Sequence, residues 1–180
     1  MQDADRLIDL WHTLPRQNGE SLPRRSSLSI AAIAPILSHC WQMRWRNGTD
    51  FTIKLMGEKL IETWGRDLSG KNLFTALPQP YCDTLNRMVA PLFAKPCALI
   101  VTRHLKKGKG GLYEFSNLSL PMLDTDGDAC VVFGMSQVTQ LAPERPYSGK
   151  LSFVGGEIKS ARFLDLGFGV AEADFLKTTA

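Results

Sequence analysis

The sequence predicts an α+β fold in which a five-stranded antiparallel sheet carries helices on one face and an additional N-terminal helix precedes it. Three observations carry this reading. Two alternating stretches, 41–46 and 51–56, are joined through Asn47-Gly48, a dipeptide that tolerates the positive φ angles of a hairpin turn. Three further β-rich stretches begin at Cys97, Leu112 and Ala129 and are separated by the turn-rich sequences GKGG and DTDGD. Between the two groups lie apolar residues at helical spacing.

Residues 3–14 place Leu7, Leu10, Trp11 and Leu14 on one side of a helix, with Asp3 and Asp5 near the end where the helix dipole favours negative charge. That stripe can pack on its own domain or on a second copy, so a homodimer through this helix is one expectation. Asn18-Gly19 breaks the helix. Ser27 or Ser29 can then cap a short helix with Ile30, Ile33, Ala34 and Leu37 on one face, kinked or broken near Ala34 by Pro35. In the first strand Trp41, Met43 and Trp45 oppose Gln42, Arg44 and Arg46. In the second, Phe51, Ile53 and Leu55 oppose Thr52 and Lys54. Leu60, Ile61 and Trp64 share a short helix closed by Gly65, and Gly70 closes a second turn. A longer helix over 80–94 presents Leu85, Met88, Val89, Leu92 and Phe93, with Pro91 loosening its last turn and Pro96 ending it. After the three later strands, APERPYSG reads as a linker, followed by one more strand, an irregular stretch around Gly167 and Gly169, and a short helix from about Ala171. The chain divides into a helical extension over 1–40, a core over 41–141 and a C-terminal extension over 142–180.

With 180 residues, 44% of them hydrophobic and 22% charged, the chain has a soluble, globular composition and the length to bury a core. No apolar run approaches the ~18 residues of a membrane span. The acidic start MQDADRLIDLW is unlike a signal peptide, so a cytoplasmic location without membrane association is expected. A net charge of +3, and a lysine run at 106–109 interrupted by Gly108, give no indication of a nucleic-acid groove. Cys40, Cys82, Cys97 and Cys130 form no C-x-x-C pair and read as reduced core residues. DTDGD from Asp124 fails as a calcium loop because Ala129 and Met135 stand where Gly and Glu are required, so it reads as a hairpin turn. No metal site is expected. Nor does the chain hold a G-x-S-x-G elbow or a Walker A loop, so no catalytic residue is assigned and the protein is read as non-enzymatic.

The order of two strands, helices and three strands resembles the PAS fold. In detail the chain resembles the stand-alone PAS-like subgroup of bacteria, found mainly in alphaproteobacteria. Leu22-Pro23 with Arg25 resembles that subgroup's opening LP-x-R signature, and the second strand ends in Gly57 as the subgroup's does. GRDLSGKNL from Gly65 resembles its G-R-D-L-T-G loop, and GMSQVT from Gly134 resembles the glycine and DIT ending of many PAS domains. The likeness runs over about residues 5–141. Ile30 stands where the subgroup often has Pro, and Gln137-Val138-Thr139 lacks the usual acidic residue, which argues against output through a fused kinase or cyclase.

The resemblance implies a sensory or regulatory module that binds a small molecule or a signalling protein, with any ligand held between sheet and helices. Its pocket would be lined by Met43, Trp45, Phe51, Ile53, Leu60, Trp64, Phe74, Leu85 and Met88. The same residues also suit a filled, dry core, which makes a pure interaction or dimerisation domain the alternative and an uncharacterised small enzyme a third. No cofactor is expected. The flavin-reactive cysteine in its Asn-Cys context is absent, and no His lies between Gly57 and Pro96 to ligate haem, which leaves His104 as the haem candidate. Arg24, Arg25, Arg44, Arg46 and Arg66 are a candidate anion-binding set if they converge, since guanidinium groups fork phosphate bidentately; scattered surface arginines are the other reading.

Overall fold

A computed structural model of the chain describes residues 2–17, 19–46, 49–75, 79–107, 111–142 and 157–170. In order, its elements are α1 (Gln2–Thr13), α2 (Ile30–Ile33) running into a 3-10 turn (Ala34–His39), β1 (Cys40–Arg46), β2 (Asp50–Met56) and α3 (Glu58–Trp64). Then come α4 (Gln79–Ala94), β3 (Cys97–Lys107), β4 (Gly111–Leu123), β5 (Ala129–Ala142) and β6 (Glu157–Asp165). The strands form one six-stranded sheet in the order β2-β1-β5-β4-β3-β6, every neighbouring pair antiparallel. The PAS-like α+β architecture with an N-terminal helix is therefore present, enlarged in two respects. A sixth strand, β6, pairs with β3, and the helical cover extends to both faces of the sheet.

Strand alternation explains the second cover. On β5, Val132 lies on one face while Val131, Phe133 and Met135 lie on the other; on β4, Phe115 faces the first way and Leu118, Leu120 and Met122 the second. Both faces are apolar, so both must be shielded. α3 and α4 cover the first face with Leu60, Trp64, Met88, Val89 and Leu92. The second is covered by Leu7 and Trp11 from α1, by Leu14 just beyond it, and by Leu22, Leu28, Ile33 and Ile36. Trp11 is only 2% exposed, and its Nε1 donates to the Pro121 carbonyl at 2.8 Å. Of the two expectations for the α1 stripe, packing on its own sheet is the one observed.

Two facing assignments change. Ile30 is 59% exposed, whereas Ile33 and Ile36 are buried. Ser29 does cap α2, accepting from the Ala31 N–H at 3.2 Å, but after Ile33 the chain tightens into the 3-10 turn beginning at Ala34-Pro35, and its threefold period selects Ile36 rather than Leu37. On β2, Leu55 crosses to the second face because the register against β1 slips: Met43 sits opposite Ile53, but Gln42 sits opposite Leu55, leaving Lys54 as the extra residue. Met56 is thereby turned toward the first face.

The loop that carries most of the family likeness holds down an exposed edge. Gly65, at φ 67°, ends α3 in the left-handed conformation. The chain then returns to β2, where the Gly70 N–H donates to the Ile53 carbonyl at 2.8 Å and the Ile53 N–H to that of Lys71 at 3.0 Å. Asn72 Oδ1 accepts from the Phe51 and Phe74 N–H groups at 3.0 Å each. Backbone groups that would otherwise leave β2 open to another chain are thus used internally. DTDGD forms the expected hairpin turn, with Asp124 Oδ1 accepting from the N–H groups of Asp126 and Asp128 at 2.9 and 3.0 Å. α4 continues through Pro91 to Ala94. All four cysteines are free and buried, as the sequence suggested. The Asn47-Gly48 turn, residues 108–110 of the GKGG turn, residues 143–149 of the linker and the helix expected from Ala171 lie outside the described residues.

Trp11→Ala should lower the unfolding free energy by about 3–5 kcal/mol, the cost of removing a fully packed aromatic side chain. Urea denaturation followed by circular dichroism measures this, and a loss below about 1 kcal/mol would mean that α1 does not shield the sheet.

Candidate ligand-binding site

Between the first face of the sheet and the pair α3 and α4 lies a cavity of about 120 Å³. An apolar engineered cavity of ~150 Å³ admits benzene, so this one accommodates a body about the size of one aromatic ring. Met43, Phe51, Ile53, Leu60, Trp64, Leu85 and Met88 all line it, which brings together most of the residues named from the sequence. Trp45 and Phe74 stand behind the wall. Trp45 stacks on Phe93 at 5.3 Å and donates its Nε1 to Asn86 Oδ1 at 2.9 Å, while Phe74 stacks on Phe51 at 5.6 Å. Met56 joins the lining through the Lys54 bulge, a displacement that strict alternation hides.

The sheet supplies a polar strip that sequence reasoning missed. Trp41 crosses β5 at Gly134, where a Cβ would fall 2.1 Å from the Leu118 carbonyl oxygen and 2.5 Å from the indole ring. Only glycine leaves that space. The Trp41 Nε1 donates to Ser136 Oγ at 3.0 Å, and the Ser136 hydroxyl donates to Asn117 Oδ1 at 2.5 Å. Ser136 and Asn117 are cross-strand partners, and Ser119, 7% exposed, lies two residues further along β4 on the same face.

Arg103 completes the strip. Leu99, Val101 and Leu105 on β3 pack into the first-face core, so alternation sends Arg103 to that face, where it lines the cavity. Part of the residue still reaches solvent, but its Nε is buried and has no hydrogen-bond partner. No ion pair among the described residues includes it. Burial pushes the guanidinium pKa below its ordinary value, and the nearby Tyr81 on α4 opposes that shift. An unsatisfied buried donor costs about 1–3 kcal/mol, and more when it is charged. The signal was present in CALIVTRHLKK, where Arg103 shares the strand phase of Leu99, Val101 and Leu105.

A family model described as PAS domain matches residues 2–137. The chain belongs to the PAS domain family. The match starts in α1 and ends in β5, so the N-terminal helix lies inside it and β6 outside. No curated protein and no solved structure matches the chain. PAS domains are sensory and signalling modules, generally non-enzymatic.

Of the five arginines proposed as an anion site, Arg24, Arg25 and Arg44 already have side-chain partners in this PAS domain. Arg24 bonds Glu20 at 2.6 Å, Arg25 bonds Gln42 Oε1 at 2.7 Å and the Leu28 carbonyl at 3.0 Å, and Arg44 bonds Asp50 at 2.7 Å. Arg46 ends β1 exposed, and Arg66, also exposed, follows α3 on the other layer. His104 alternates with Arg103 and so faces away from the cavity, its Nε2 lying 3.2 Å from Glu114. Among the described residues no group of three or more His, Cys, Asp or Glu side chains is placed to hold a metal. Burial lifts the Cys40 thiol to about 12, with Asp3 adding to the effect, and Cys130 to about 11, so neither is a ready nucleophile. No helix among the described residues is long and apolar enough to cross a membrane.

Burial alone would raise the pKa of Asp50, but the Thr52 hydroxyl and the Arg44 guanidinium outweigh it and hold the carboxyl below its ordinary value. A folded-state pKa below the unfolded one gives stability that is complete above the unfolded pKa of about 3.9 and lost as pH falls through the folded value. Asp50→Asn should therefore melt below wild type at neutral pH, with the gap narrowing as melts are taken below the ordinary aspartate pKa of about 3.9. Gly134→Ala should cost about 1–3 kcal/mol by pressing on both the Leu118 carbonyl and the Trp41 ring, measured by urea denaturation together with a red shift of tryptophan emission.

Proposed function

We propose that this PAS domain is a cytoplasmic regulatory module that senses a small molecule taken into the cavity between the sheet and α3–α4, and that it has no catalytic activity of its own. The observation that carries the reading is the makeup of that cavity: a largely apolar pocket of about 120 Å³ with one polar strip on its sheet wall. Binding pockets combine these features, an apolar body for affinity and a few placed polar groups for orientation, whereas a core evolved only to pack has no use for the space. In this reading 41–141 is the sensing unit, 1–40 seals its second face, and 142–180 contributes β6. The GRDLSG loop and the Leu22-Pro23-x-Arg25 opening support a place in the alphaproteobacterial stand-alone subgroup.

The rival reading, an interaction domain with a filled core, is separated by mass spectrometry of the purified protein under native and denaturing conditions. A small molecule released from wild type and missing from Leu85→Trp, which fills the space from α4, is the expected result. Release of nothing from wild type, with no thermal shift across a library of small metabolites, would favour the filled-core domain.

A further inference from the structure

We propose that the cavity takes a small carboxylate, a monoanion with an aromatic or short aliphatic body, whose carboxylate pairs with the guanidinium of Arg103. This rests on the reading of the cavity as the sensing site. Among the described residues that line it, Arg103 is the only titratable one. Its Nε is buried without a partner, and no carboxylate of the described residues forms an ion pair with it. A cation in an apolar enclosure without its own counter-ion is a site for one from outside, and the planar fork of arginine matches the carboxylate group. One positive charge also sets the charge of the guest. A monoanion is neutralised by Arg103 alone, whereas a phosphate monoester would carry about one further charge into the enclosure.

The register places a second polar group beside this anchor. Val101 sits opposite Asn117 and Arg103 opposite Phe115, so Arg103 and Asn117 are diagonal neighbours on one face. Asn117 Oδ1 is taken by the Ser136 hydroxyl, which is held in turn by the Trp41 indole. That chain does not use the amide N–H donors of Asn117, which remain suited to an anionic oxygen. The rest of the wall, from Phe51 and Ile53 to Trp64 and Met88, suits a ring or a short alkyl chain, and the volume limits the guest to a small one.

The test uses the full chain with benzoate and hexanoate as probes, and benzamide and hexanamide as their neutral counterparts. Binding is read by calorimetry and by the emission of Trp41 and Trp64. Wild type should bind each acid at least about tenfold more tightly than its amide, and Arg103→Met should weaken the acids by about ten- to a hundredfold while leaving the amides unchanged. The melting temperature of Arg103→Met should equal or exceed that of wild type, because an uncompensated buried cation has been replaced by an apolar chain.

Acids and amides bound equally, with Arg103→Met indifferent, would overturn the carboxylate assignment and leave the sensing cavity intact. Phenyl phosphate bound more tightly than benzoate would overturn the choice of a monoanion. Probes of neither kind bound, in protein that also releases no small molecule, would overturn the sensing reading and this inference with it. Loss of folding in both Arg103→Met and Arg103→Gln would assign Arg103 a structural role and overturn the proposal as well.

Discussion

The central strands β4 and β5 carry apolar side chains on both faces, and every other element is placed to keep those faces from water. Phe115 and Phe133, each 1% exposed, stand on opposite sides of this pair. An antiparallel sheet can leave one face wet, but this one cannot without exposing Leu118, Leu120, Met122, Val131, Phe133 and Met135 together. That requirement explains why a helix from the start of the chain is joined to the far side of the sheet. It also explains why the Trp11 indole reaches across 110 residues of sequence to a β4 carbonyl.

The two covered faces differ in how completely they are filled. Among Leu7, Trp11, Leu14, Leu28, Leu120, Met122 and Phe133 only about 10 Å³ is open, against about 120 Å³ beneath α3 and α4. Protein interiors pack at the density of organic crystals, so the contrast within one sheet is informative. The well-filled side acts as a foundation. The other side keeps its space because Gly134 lets Trp41 lie flat on β5, and because short polar side chains at Asn117, Ser119 and Ser136 stand where larger apolar ones would close the gap.

Much of this was legible in the residues themselves. The alternation of Trp41, Met43 and Trp45, the Gly65 stop after Trp64, and the GRDLSG loop led to the strands, the short helix and the family. Seven of the nine residues named as pocket candidates line the cavity. What escaped were features that depend on a neighbour. The Lys54 bulge moves Met56 inward only because β1 imposes its register. Ile36 takes the core place expected of Leu37 because the chain tightens after Ile33. The hydrogen-bond chain from Trp41 to Asn117 joins three strands that no local pattern links, although Arg103 itself was visible as a charge in an apolar phase.

β6 carries a consequence of a different kind. Its backbone pairs with β3 alone, Ala161 is its one buried side chain among those described, and its register slips opposite the step from Thr102 to Arg103. Judged by the work of local opening, it is a weakly secured margin of the sheet, while β2 at the other margin is fastened by the Gly70–Lys71 loop. With β6 peeled away, β3 would become an edge of the sheet. The backbone beneath the buried cation would then meet solvent, so the lifetime of that outer strand sets how long the strand bearing Arg103 stays sealed.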